Sequence, residues 1–142
     1  PGGSKKLAKD MQLHVRSLGP KQGSFNKKQL TTNIDSVRNK YGVKEENSSG
    51  FCAVVCYDLF SNNKVPKGFA PYSCEVGEEE HVILYDKKTG DVIDPTGDQF
   101  DFPVFDSKPD RSKYRGLQKL SKQELESVAK EADGILVKRK GK

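Results

Sequence analysis

Tryptophan is absent from the chain, methionine occurs once, histidine twice and cysteine three times. With 33% of residues apolar against 32% charged, the core must be small and gathered in a few segments, chiefly 50–105. At 142 residues the length suits one compact domain. No apolar run approaches the roughly 20 residues that span a bilayer, and no signal peptide opens the chain, so a soluble protein without a membrane partner is expected. Three cysteines are an odd number, without the dense spacing of a disulfide scaffold, which favours free thiols and a reducing, cytoplasmic site of action. The opening PGGS is of the kind cloning leaves behind. The chain is therefore expected to be a domain of a longer protein, secreted or delivered as part of it.

What the chain has in excess is positive charge at its ends. The net charge is +5, with basic residues grouped in SKKLAK, GPKQGSFNKKQ and VKRKGK. Such ends usually form solvated faces, and they also suit an anionic partner. Residues 1–28 read as a basic segment with a short helix over 5–18, and residues 29–142 as the folded domain. From Thr31, TTNIDSVRNKYG sets Ile34, Val37 and Tyr41 at helical spacing and stops at Gly42. After a polar connector, FCAVVCYDLF has the length and content of a buried helix, which Ser48 or Ser49 can cap. KVPKGFAPYSCEVGEEE reads as a loop. HVILYD, the turn KKTG and DVIDPT then form a hairpin signal. DQFDFPVFDSKPDRSKYRG reads as extended chain and loop because of Pro103 and Pro109. In SKQELESVAKEAD, Ser121 and Glu124 make a capping box, and Leu125, Val128 and Ala132 share a face. GILVK reads as a last short strand. The order is that of an α+β domain.

The two cysteines of GFCAVVCYDLF have different prospects. A thiol reacts as thiolate, which the partial positive charge of a helix N-terminus favours, and Cys52 lies in the first turn. Cys56 lies a full turn deeper among Val55, Leu59 and Phe60, and reads as core. Pairing Asp86 with Asp91 across KKTG puts His81 opposite Thr96 and Ile83 opposite Asp94. His81 and Asp94 are then diagonal neighbours on one face, within side-chain reach, while Val82, Leu84 and Ile93 take the other. A histidine oriented by a carboxylate is suited to take a thiol proton and pass it to a leaving group. The plainer alternative is that His81 only starts a strand and Asp94 only caps a turn before Pro95.

Gly-x-Cys at a helix start, a strand beginning with His, and a strand reading VIDPTGDQF together resemble the papain-like fold cysteine hydrolases. The likeness is strongest to the small bacterial effector and polymorphic-toxin domains with a Cys, His, Asp triad, and it covers residues 48–102. It implies a papain-like core, with a cysteine-bearing helix packed on a small antiparallel sheet. It further implies Cys52 as nucleophile, His81 as general base and acid, and Asp94 as the orienting carboxylate. The implied activity is hydrolysis of an amide in a protein substrate without a cofactor, glutamine side-chain deamidation before peptide cleavage, in a domain that a cognate immunity or inhibitor protein would bind. The chain departs from the pattern where papain-type enzymes carry an oxyanion-donating Gln before the cysteine. VKEENSSG offers Asn47 or the serines there, and Gln99 is a second candidate.

Two other readings remain. Cys52, Cys56, Cys74 and His81 can be drawn as a zinc site, but a four-residue spacing on a helix is unusual for a thiolate pair, so no metal is expected. A nucleic-acid-binding or RNA-cleaving toxin domain would use the basic surface, with Tyr114 among Arg111, Lys113 and Arg115 as the one local hint.

Overall fold

The computed structural model describes residues 26–45, 48 and 50–140, the side chains of 135–140 excepted. The expected helix over 5–18 lies outside these residues. Contacts group the chain into Pro1–Thr31 and Thr32–Lys142, and of the first unit only residues 26–31 are described.

Helix α1, Lys27–Tyr41, starts four residues earlier than its apolar spacing predicts, because Asn26 accepts a 3.1 Å bond from the Gln29 amide as N-cap. Its end is the expected one. Gly42 takes φ +72°, with Val43 N–H bonded to the Arg38 carbonyl and Gly42 N–H to that of Asn39, a Schellman ending. Helix α2, Cys52–Ser61, is the cysteine helix, and it lies against the strands Ala70–Val76 and Glu79–Tyr85. Neither serine caps it through a described side chain: Phe51 is the N-cap, no side-chain bond is made there, and Ser48 contributes only its carbonyl, to Phe51 N–H. Ser49 lies outside the described residues.

The sheet is larger than the hairpin read from the sequence. It has five antiparallel strands in the order β4-β3-β2-β1-β5: β1 Ala70–Val76, β2 Glu79–Tyr85, β3 Val92–Ile93, β4 Phe105–Asp106 and β5 Arg115–Lys119. The segment read as a loop therefore contains a central strand. Pro71 is tolerated near its start, where its carbonyl accepts from Leu120 N–H, and a two-residue turn with Gly77 at φ +62° joins β1 to β2. The β2–β3 register is the expected one, with Leu84 opposite Ile93 and Asp86 N–H on the Asp91 carbonyl.

Tyr72, Cys74, Val76, Ile83 and Val92 form one buried cluster with Tyr114, against Phe100 and Phe102. The alternate positions Val82, Leu84 and Ile93 are buried as well. GILVK is not a strand. Helix α3 runs over Lys122–Lys140, since each residue added to a helix already nucleated gains a hydrogen bond and Gly134 costs only about 1 kcal/mol. Its capping box forms as expected, with Ser121 N–H on Glu124 Oε1 at 2.8 Å and Glu124 N–H on Ser121 Oγ at 3.0 Å. Its buried face passes through Leu125 and Ala129, while Val128 is exposed. The fold is thus α+β: three helices and an antiparallel sheet among the described residues. None of these helices is long and apolar enough to cross a membrane.

Candidate active site

Cys52 is the first residue of α2 and is partly exposed. Phe51 at the N-cap makes no side-chain bond to the first-turn amides of that helix, whose partial positive charge lies beside the thiol. Cys56 is fully buried, its Sγ 3.6 Å from the Val82 carbonyl, and burial holds its thiol well above the ordinary range. Burial, with Asp94 next, pushes Cys74 up to about 12. Of the three thiols, only Cys52 combines access with a helix start.

His81 enters from β2 and Asp94 from the residue after β3, and the hairpin register makes them meet. Nε2 lies 2.9 Å from Asp94 Oδ1 and 3.0 Å from Oδ2. An ionised carboxylate only accepts, so Nε2 carries the proton and Nδ1 is the nitrogen left for a second partner. Cys52 lines the same cleft as the ring and lies close enough to act on its titration. Burial lowers the His81 pKa, but the bond to Asp94 and, after it, the influence of Cys52 outweigh it and raise the group from 6.5 to about 9. The imidazolium is the neutral-pH form, and a cation beside a thiol favours the thiolate.

Asp94 is fully buried, and its carboxylate does not cap the turn before Pro95; its carbonyl does that, accepting from Gly97 N–H at 3.0 Å. The oxygens go to His81 and to Tyr114, whose hydroxyl donates to Oδ2 at 2.9 Å. The turn closes so tightly that a Cβ on Gly97 would sit 3.2 Å from the Asp94 carboxyl and 3.1 Å from the Phe102 carbonyl. Arg38 of α1 braces the same turn, donating to the Pro95 carbonyl at 2.7 Å and forking onto Asp98 at 3.1 and 2.7 Å. Burial acts to raise the Asp98 pKa, but that fork overcomes it and holds the carboxyl below its usual value. Phe100 stands edge-on to the His81 ring at 4.9 Å, closing one side of the imidazole to water.

The two oxyanion candidates fare differently. Asn47 lies outside the described residues. Gln99 donates its amide to the Thr96 carbonyl and hydroxyl, both at 3.1 Å, so it shapes the turn in this arrangement. Tyr114 is misjudged by the sequence reading. It is buried against the cluster and bonded to Asp94, not displayed with Arg111 and Lys113 for RNA. Its signal was a lone aromatic in a polar run just before a strand. No group of three metal-ligating side chains forms among the described residues, so Cys52, Cys56, Cys74 and His81 are not a zinc set there.

Cys52 and His81 open into a cleft of about 360 Å³ lined also by Ser73, Gln118, Leu120 and Val128. Its floor is sheet and one wall is α3. Compared with protein-family models, curated proteins and solved structures, the chain matches none.

Proposed function

We propose that the protein is a cysteine hydrolase with a papain-like core, acting on an amide of a protein substrate, with a glutamine side chain preferred over a peptide bond. The observation that carries this reading is the His81 ring, held by Asp94 through Nε2 and lining one cleft with the helix-start thiol of Cys52, which acts on its titration. The thiolate attacks the amide carbon and the oxygen takes up negative charge near the first-turn amides of α2. The C–N bond breaks as the imidazolium gives its proton to the leaving nitrogen, ammonia in the case of glutamine, and a thioester remains. Water then adds to the thioester carbon as His81 takes one of its protons, the C–S bond breaks, and the carboxylic acid leaves with the thiolate and the imidazolium restored. No cofactor enters these steps. The preference for glutamine, the role as an effector or toxin domain delivered to a reducing cytoplasm, and the binding of a cognate immunity or inhibitor protein rest on the resemblance of residues 48–102.

An electrophilic thiol probe, read by intact mass and by localisation of the label, tests the nucleophile directly. A single fast adduct on Cys52 is expected, together with ammonia release from glutamine-bearing proteins that Cys52→Ala abolishes. Equally slow labelling of Cys52, Cys56 and Cys74 refutes the assignment. Salt-dependent RNA retention that survives Cys52→Ala, without amide hydrolysis, would favour the nucleic-acid alternative.

A further inference from the structure

The His81–Asp94 pair does not stand alone. Asp94 has no exposure to water, and the terminal torsion of a carboxylate is soft and two-fold, so a single ring nitrogen fixes it poorly. Tyr114 supplies the second donor, 2.9 Å from Oδ2. Its own position is firmly set: its ring meets Phe102 at 5.4 Å and 71°, and it lies in the buried cluster with Tyr72 and Cys74. It also immediately precedes β5, whose Arg115 pairs with Glu75 of β1. The neighbouring residue of β1, Cys74, is the cross-strand partner of His81. Strand β1 therefore locates both the imidazole and the hydroxyl that holds its carboxylate.

We propose that Tyr114 is a positioning residue of this site: its hydroxyl holds the Asp94 carboxylate against Nε2 of His81, which fixes the ring in the cleft it shares with Cys52. The inference rests on the hydrolase reading for what the site accomplishes, but its primary test does not. A hydroxyl bonded to Oδ2 also draws negative charge away from His81. The charged and titratable groups that face these rings are Asp94 and Cys52 for His81, and Asp94, Asp106 and Cys74 for Tyr114. Asp106 is paired with Lys113 at 2.6 Å. Burial, followed by Asp94, pushes the phenol above its ordinary value, so it remains a donor throughout the range in which His81 titrates.

Tyr114→Phe keeps the ring and removes only the oxygen. With the whole Asp94 charge then bearing on His81, the imidazole titration followed by NMR should move up by about one pH unit. Global replacement of tyrosine by 3,5-difluorotyrosine makes the phenol a stronger donor and should move it the other way. This second perturbation carries the test if Tyr114→Phe does not fold. Ammonia release should fall about tenfold in kcat in Tyr114→Phe with KM little changed, because a less acidic imidazolium protonates the leaving nitrogen less well. A His81 midpoint unmoved in the folded variant, or unmoved in the fluorinated protein, overturns the inference. Failure of the hydrolase reading looks different: wild-type Cys52 then alkylates with iodoacetamide no faster than Cys74, whatever the His81 titration does.

Discussion

Replacing Asp94 by Asn tests the site most directly, because it changes one charge and almost no volume. In the wild type, His81 is raised from 6.5 to about 9, equivalent to a net preference of about 3 kcal/mol for the imidazolium. That preference survives against burial, which acts the other way, and it comes from Asp94 and Cys52. Without the Asp94 charge, burial is opposed by Cys52 alone, and the ring should be neutral at pH 7. The amide also has one oxygen where the carboxylate has two. If that oxygen keeps the bond from Tyr114, the amide NH2 faces Nε2, which must then accept. The ring proton moves to Nδ1, the nitrogen that Asp94 leaves free to accept from the thiol in the proposed mechanism. The same change in a serine-protease triad costs about 10⁴-fold in rate, and a loss of that order is expected here.

Two measurements suffice. Ammonia release from a glutamine-bearing protein should fall by the stated factor while circular dichroism and the folded dispersion of the NMR spectrum persist. Iodoacetamide alkylation of Cys52 should slow between pH 6 and 8 and approach the wild-type rate above about pH 9, where an ordinary thiol ionises without help. Combining Asp94→Asn with His81→Ala should cost little more than the worse single change, since the groups act as a unit. Alkylation profiles that superimpose in wild type and Asp94→Asn would refute the reasoning: the pair would then serve only the hairpin.

Three further outcomes are expected. Because the folded His81 value lies above the unfolded one, its contribution to stability is complete below pH 6.5 and is lost as pH rises through about 9. In a Cys52→Ala background, where no thiol proton is lost in exchange, urea unfolding should therefore lose stability across that window relative to the same background with His81→Gln, and parallel curves would contradict this. Cys56→Ala should cost about 1–2 kcal/mol and leave turnover intact, since it removes a fully buried thiol that faces a carbonyl and not the cleft. A folded but inactive Cys56→Ala would show that the working thiol has been placed one turn too early. Gly97→Ala puts a methyl 3.2 Å from the Asp94 carboxyl in a turn whose other wall is backbone, so Asp94 should shift, with a loss of about 1–3 kcal/mol and slower Cys52 alkylation. Unchanged alkylation in that variant would mean that the turn relaxes elsewhere.

The parts of the structure legible in the sequence are those set by near neighbours. KKTG fixes the β2–β3 register within four residues, and with it the meeting of His81 and Asp94 thirteen residues apart. The Gly42 stop and the Ser121 capping box are likewise local. Strand β1 was not legible, because Pro71 within it and the Gly77–Glu80 run after it have loop composition, and what makes it strand is pairing on both sides, with β2 across a two-residue turn and with Lys119 and Gln118 far along the chain. Strands β3 and β4 are two residues long, too short for any alternation to appear. GILVK misled by its apolar residues, since nothing local marks where a capped helix stops. Tyr114 is the sharpest case. Its flanking charges suggested a surface, while the partner that defines it lies twenty residues away.

The energetics of burying these groups supply an independent argument. A carboxylate and an imidazole taken fully out of water gain from each other roughly what they lose in solvation, and well-packed apolar residues in their place are often neutral or stabilising by about 1–4 kcal/mol. His81 and Asp94 sit beside Ile83, Ile93 and Val92, all with 1% exposure or less, where aliphatic side chains would hold the hairpin at least as well. A structural role therefore gives no reason for an ion pair at this point, still less for recruiting Tyr114 to satisfy it and a glycine at 97 to make room for it. A role in reactivity gives one. The pair lies where the only partly exposed thiol among the described residues begins its helix, and the buried anion holds a cation in the cleft that this thiol lines. The same balance predicts that replacing His81 and Asp94 together by apolar residues of similar size leaves stability unchanged or improved, while Cys52 falls to the alkylation rate of an ordinary thiol.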